Sequence, residues 1–448
     1  MCLRRLAQPR CLDVNRPDTR RLILTSFAAR LVTLTATAAT GVVVARVLGA
    51  EGRGNYAVVI TVAAAAVAVG HLSLESAQVA LWKEEALRPA FAANAVLLAG
   101  LLGAPLALIT WALVRWLGEA RVPIYSDTGL ILGLIAVPFG ILVLWLNNLL
   151  SLTSRVSCIN VGLVVSAVVQ LALVLALTAA GRLTVTAAVL GWMVLSVLPA
   201  LIAVFALRPT LSSASLHVLR RTCTSGLRYH SGVLFLFLLF RLDLLVVNAQ
   251  MSPRDVGLYA LALTLAELVY LIGDSVAQAI VGRQAGVNQE AAAEVTAGAV
   301  RFGTWGVTFV ALGLAGAAWL VVPTIYGAEF RDAVPVLWLL LPGSVALAVC
   351  RPLAVLLAAR DRPALLAGLA GAALVVHVVL LAALVPAWGL AGAAVAATIG
   401  YLALAAGYLW TVHRLTTLTW KDLRPSAADL REVVRRAAPP GRSTRDML

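Results

Sequence analysis

Runs of about 20 apolar residues recur along almost the whole of this 448-residue chain, and no other feature limits its fold as tightly. A helix needs about 20 such residues to cross the roughly 30 Å hydrocarbon core of a bilayer. Twelve runs can be read, at 24–46, 54–81, 90–116, 129–150, 156–178, 184–207, 226–250, 256–280, 300–322, 334–357, 364–385 and 389–413. They predict an all-α integral membrane protein with short connections. Hydrophobic residues make up 61% of the chain and charged residues 12%, whereas soluble domains carry roughly 25% charge.

In a soluble protein a formal net charge of +14 would suggest nucleic acid. Here its distribution reads as topology. With the N-terminus inside, about 25 of the 35 Lys and Arg residues fall in cytoplasmic segments and about seven outside, leaving Arg30, Arg241 and Arg351 at membrane depth. Both termini are therefore expected in the cytoplasm. The first 23 residues hold Arg4, Arg5, Arg10, Arg16, Arg20 and Arg21 with no apolar core, so the first helix is itself the insertion signal. The five cysteines (Cys2, Cys11, Cys158, Cys223, Cys350) form no CxxC pair, and no disulfide framework or metal site is expected. No GxxxxGK[ST] loop is present, so no ATP hydrolysis is expected, and external loops of about a dozen residues leave no room for an enzymatic domain.

Shifting the chain by 203 residues aligns VVARVLGAEGRGNYAVVIT (43–61) with VVNAQMSPRDVGLYALALT (246–264), with Gly54 opposite Gly257, Tyr56 opposite Tyr259 and Gly70 opposite Gly273. Each site opens a six-helix half, and six crossings return the chain to its starting side. The expected organisation is a basic N-terminal segment (1–23), an N-lobe (24–207), a basic linker (208–225), a C-lobe (226–413) and a basic tail (414–448) that lies on the membrane surface or is disordered. Such parallel repeats build secondary transporters that work by alternating access. The three glycines of the first motif, Gly49, Gly52 and Gly54, are expected to let the chain reverse between helices one and two.

Charges inside a membrane usually face protein or water. Arg30, Thr33, Thr37 and Thr40 recur at helical spacing, lining a cavity or, for Arg30, snorkelling to headgroups. Thr264, Glu267, Asp274 and Gln278 share one face of the eighth helix, so both carboxylates are candidates for ion coupling or for pairing with an arginine of a neighbouring helix. Arg241 and Asn248 share a face of the seventh helix, and Asp243 points away from it. Arg351 either lines the cavity or marks a kink at Pro352. His71 and Glu75 form a possible titrating pair, and His377 reads as a packed core residue. The candidate substrate-binding set is Arg241, Arg30, Arg351, Thr33, Thr37 and Asn248; the candidate ion-coupling set is Glu267 and Asp274.

The pattern ARxLGxxGxGxYA in the first hairpin, RLDLLVV (241–247) and VGLYALALTLAELVYLIGDSVAQAIVGR (256–283) resemble the oligosaccharide-lipid flippases. These form the polysaccharide-biosynthesis, or Wzx-type, branch of the multidrug/oligosaccharidyl-lipid/polysaccharide exporters. The resemblance runs from Leu22 to about Arg414. It implies a fold like that of MATE and lipid II flippases, a bacterial cell-membrane location, and a polyprenyl-diphosphate-linked oligosaccharide as substrate. Membrane lipid and polysaccharide-assembly proteins are the implied partners, with no nucleic acid and no cofactor. Whether H⁺, Na⁺ or the membrane potential alone drives transport is left open. Lipid II flippases carry an Arg-Asp pair and a further arginine in the first helix, where this chain has uncharged residues such as Leu34 and Thr40, so lipid II is the less favoured substrate. The alternatives are a MATE-like cation exporter and a non-transporting scaffold of the same fold.

Overall fold

The structure, a computed structural model, describes residues 19–118, 123–124, 126–285, 289–360, 362–426 and 429. The arginines expected at positions 4, 5, 10 and 16, and the amphipathic positions Leu430, Val433, Val434 and Ala437, lie outside these residues.

The chain is a multi-pass, all-helical membrane protein. Among the described residues ten stretches are long and apolar enough to span a bilayer. Helix α1 (Thr19–Gly70) has 52 residues, or about 78 Å at roughly 1.5 Å per residue, far more than one crossing needs. It breaks at Gly49 (φ 71°). The last long helix, α12 (Pro363–Leu415), breaks in the same way at Gly389 (φ 56°). Each therefore supplies two membrane-length arms, which accounts for the twelve expected crossings. Between them run α2 (Leu74–Leu81), α3 (Arg88–Leu117), α4 (Asp127–Ile135), α5 (Val137–Leu152), α6 (Val156–Ala179), α7 (Val185–Leu207), α8 (Leu216–Gln250), α9 (Pro253–Ala285), α10 (Gln289–Tyr326) and α11 (Ala333–Ala358). The basic stretch expected as a linker is already helical from Leu216.

Two compact units result. The first holds the described residues of Met1–Val47, Val62–Trp116 and Ser126–Leu227; the second holds those of Leu48–Thr61, Leu117–Tyr125 and Arg228–Leu448. In unit 1, α7 packs on α4, α5 and α6, and α2 packs on α5. Unit 2 is built on α9 and α11, which pack on each other and on α10, while α11 also packs on α12. The most apolar window of α9 is 67% buried and that of α10 only 22%, so α9 is the inner helix. Its buried faces carry Val256, Tyr259, Leu261, Ala262 and Val269.

The glycine-rich stretch is not a loop. Only Gly49 has positive φ, a conformation that costs a residue with a Cβ about 1–2 kcal/mol. Gly52 and Gly54 are helical. Gly54 packs against its own sequence echo, because a Cβ on Gly54 would lie 2.0 Å from the Pro253 carbonyl oxygen and one on Gly257 1.8 Å from that of Ala50. Glycine thus lets two helix backbones of unit 2 meet.

A second break, at residues 71–73 between α1 and α2, interrupts the expected crossing at 54–81. Leu72 and Ser73 adopt φ 48° and 50°. The break is held by the Ser73 N–H donating to His71 Nδ1 (3.2 Å) and by Trp145 Nε1 donating to the His71 carbonyl (2.8 Å).

The start of the C-terminal tail is ordered, which removes the disordered alternative for residues 414–426 and leaves the membrane-surface one. The short helix α13 (Trp420–Leu423) has a capping box between Thr419 and Asp422. From α10, Arg301 donates to the Asp422 carbonyl (2.5 Å) and Trp305 to that of Ser426 (3.3 Å). Arg301 also reaches Asp429. Hydrogen bonds from Thr419 hold the Asp422 carboxyl below the usual aspartate range, and those from Ser426 do the same for Asp429.

Replacing Gly257 with Ala forces two backbones apart and should lower stability by about 1–3 kcal/mol. Gly313→Ala, where an added methyl meets nothing within 4 Å, should not. Thermal unfolding in detergent measures both. Because the folded pKa values of Asp422 and Asp429 are depressed, their contribution is complete above about pH 4 and is lost as pH falls through the lower folded values. Protection of the amides of residues 416–426 from hydrogen exchange, taken relative to the intrinsic rate at each pH, should therefore be high at neutral pH and lost at strongly acidic pH, and Arg301→Ala should lower it at both.

Candidate functional site

Helix α9 is mostly buried, and its open side runs the length of the helix and widens beyond Val269. The open face carries Thr264, Glu267, Leu268, Leu271, Asp274, Ser275 and Gln278, each exposed or half-buried, with Val269 and Ala277 behind them buried. This is the stripe that 3.6-residue periodicity draws. An open stripe with two carboxylates at membrane depth cannot face lipid tails at acceptable cost, so it faces water or a ligand.

Three arginines from three helices meet it. Arg241 Nη1, from α8, lies 2.7 Å from Glu267 Oε1, with side-chain exposures of 35% and 40%. Seven residues, or about 10 Å, further along α9, Asp274 Oδ1 accepts from Nε (3.1 Å) and Nη2 (2.6 Å) of Arg351 on α11, and its Oδ2 accepts from Gln278 (2.6 Å). These exposures of 31% and 19% leave the second pair open as well. The Arg351 guanidinium also lies 5.5 Å from the centre of the Tyr270 ring, between the two pairs. At the Gly54 end of α9, Arg53 Nη2 reaches the Thr264 hydroxyl at 3.5 Å and sits 5.9 Å from the centre of the Tyr326 ring.

The face argument for α8 also holds in the structure. Asp243, turned away from Arg241, is fully buried and accepts hydrogen bonds from Tyr259 Oη (2.6 Å) and from the Leu244 N–H (2.8 Å). Asn248 is buried too, and its amide donates to the Pro123 carbonyl (3.2 Å), so in this structure it holds the chain rather than standing open to a substrate. Arg351 is reached without a break in α11 at Pro352. His377 is fully buried against Tyr401, 6.5 Å between ring centres.

In unit 1, Arg30 and Thr37 are exposed on α1 and Thr33 is half-buried. Thr40 is buried and donates to the Ala36 carbonyl (2.9 Å), the backbone bond expected of a membrane threonine. His71 Nδ1 lies 3.3 Å from Glu75, and Asn148, which sequence reasoning missed, donates to the Glu75 carbonyl (3.0 Å) and to Gln78 Oε1 (2.8 Å). Arg53 was also missed as part of the α9 stripe. Its place in a Gly-rich connection hid the fact that it is helical and only 7% exposed.

No protein-family model matches the chain, and no curated protein does. Solved structures do. The chain is similar to the lipid II flippase MurJ in an inward closed conformation, with a TM-score of 0.69 at 13% identity over 92% of this chain and 91% of that one. It is similar to a multidrug resistance MATE family transporter of the MOP superfamily in an inward-facing conformation, with a TM-score of 0.65 at 16% identity over 87% of this chain and 97% of that one. A MOP superfamily transporter from Pyrococcus furiosus gives 0.59 at 15% identity, over 88% and 94%. At these identities what is shared is the fold, an all-α membrane architecture that serves flippases and multidrug transporters alike.

Proposed function

We propose that the chain carries a polyprenyl-diphosphate-linked oligosaccharide from the cytoplasmic to the outer leaflet of a bacterial cell membrane, by alternating access and with both termini cytoplasmic. The observation that supports this is the α9 stripe, where Arg241 and Arg351 are half open and each is held by one carboxylate. A guanidinium binds a carboxylate and a phosphate through the same planar fork. An arriving diphosphate replaces Glu267 or Asp274 on its arginine, and the released carboxylate faces water or takes up a proton or Na⁺.

The same pairs weigh against a cation exporter. In this structure Glu267 and Asp274 are each neutralised by an arginine, and Asp243 is held by Tyr259. Moving two negative charges outward down a potential that is negative inside releases about 2.3 kcal/mol per charge per 100 mV, roughly 4–5 kcal/mol in all. That is enough drive to make ion coupling optional.

Arg241→Gln should reduce surface glycan roughly tenfold or more, the loss expected for a charge-assisted contact of about 1.5–3 kcal/mol, and leave lipid-linked oligosaccharide on the cytoplasmic leaflet. Arg241→Gln with Glu267→Gln removes both charges and leaves no unpaired carboxylate. It should fold and still fail to export. Normal export by that double variant overturns the reading, as does a deletion that raises drug sensitivity while glycan stays normal.

A further inference from the structure

Unit 1 contains a cavity of about 330 Å³ away from the α9 stripe, walled by the connections α2–α3, α5–α6 and α7–α8. Arg88, Arg155 and Arg208 line it, together with Trp82, Leu149 and Leu207, and among the described residues no carboxylate does. We infer that this cavity binds the phosphate headgroup of an anionic phospholipid.

The guanidinium groups have donors to spare. Arg88 uses Nε on the Trp82 carbonyl (2.9 Å) and Nη1 on Glu85 (3.1 Å), with its head 4.8 Å from the centre of the Trp82 ring. Arg155 uses one N–H on the Ala206 carbonyl (2.7 Å), closing the end of α7, and four others are left. Arg208 stands beside the Phe205 ring at 5.3 Å, held there by a left-handed backbone (φ 47°) that arginine rarely adopts. Two of the lining hydroxyls are already engaged as donors: Thr153 on the Leu149 carbonyl and Ser213 on that of Pro89. Two long helices, α3 and α6, begin at the cavity with no acidic residue in their first turns, so their positive ends add to the arginines.

The apolar part of the wall identifies the ligand's other end. Trp82 is of the type that sits at headgroup depth, and Leu149 and Leu207 offer surface to the first carbons of an acyl chain. All three connections lie at the end of unit 1 that the distribution of Lys and Arg assigns to the cytoplasm, where anionic lipids attract basic groups. Inorganic phosphate shares the headgroup's chemistry but not its chains, so it serves as the second arm of the test.

The test uses the full chain in nanodiscs of phosphatidylcholine with or without phosphatidylglycerol, and in detergent with inorganic phosphate. Thermal unfolding and lipid co-purification by mass spectrometry are the readouts. Phosphatidylglycerol should raise the unfolding temperature and co-purify. Arg155→Gln with Arg208→Gln should weaken its binding roughly tenfold or more, while Arg254→Gln, an exposed arginine of unit 2, should leave it unchanged. Equal behaviour of the wild-type chain in the two lipids overturns the inference without needing a variant. Unchanged phosphatidylglycerol binding by the double variant overturns it as well. Stabilisation by phosphate with none from phosphatidylglycerol overturns the lipid assignment in favour of a soluble phosphate.

Discussion

A charge held at membrane depth needs a partner or water, and unit 2 is organised around that requirement. Placing one charged side chain at a helix centre costs about 2.5–3.5 kcal/mol on insertion scales. The inner helix α9 carries two carboxylates there, and the neighbouring α8 and α11 each send one arginine to them, at 2.7 and 2.6 Å. Asp243 meets the same requirement differently. It is buried and held by two donors, Tyr259 and a backbone N–H, so it is structural. The difference between a sealed carboxylate and two half-open ones separates what holds the helices together from what can exchange partners. At this depth an arginine or a carboxylate with no partner would be costly, and the half-open pairs meet that cost while staying within reach of water.

What sequence could supply follows from the same physics. Helical periodicity is a one-dimensional property, so the shared face of Thr264, Glu267, Asp274 and Gln278, and the opposed directions of Arg241 and Asp243, were readable before any coordinates. Which helix stands opposite a face is a tertiary fact, and for that reason the pairing of Arg351 with Asp274 could not be read. Asn248 shows the same limit: periodicity puts it on the face of Arg241, and its burial and commitment to the Pro123 carbonyl depend on a segment 125 residues away. Composition also misled. Glycine serves both a positive φ and a close helix approach, and three glycines in six residues read as a turn when only Gly49 is one. The repeat that pairs Gly54 with Gly257 held the better clue, since two helices meeting backbone to backbone need a glycine on each side. The break at Leu72 and Ser73 left no trace, because neither residue favours left-handed backbone. Contacts from Trp145 and His71 impose it.

The two repeat-related helices meet one polar demand with different chemistry. Under the 203-residue shift, His71 stands opposite Asp274 and Glu75 opposite Gln278. In unit 1 that depth is served by a helix break, a His71–Glu75 contact at 3.3 Å and the amides of Asn148 and Gln78. In unit 2 the helix is continuous, and Asp274 is held by Arg351 and Gln278. An arginine is the most expensive of these groups to place in a membrane, and its fork has more donors than a single carboxylate oxygen can accept. Arg351 directs two of them to one oxygen of Asp274 and stacks near Tyr270. A cation with donors to spare, on the open stripe of the inner helix, suits the anionic substrate proposed for this chain.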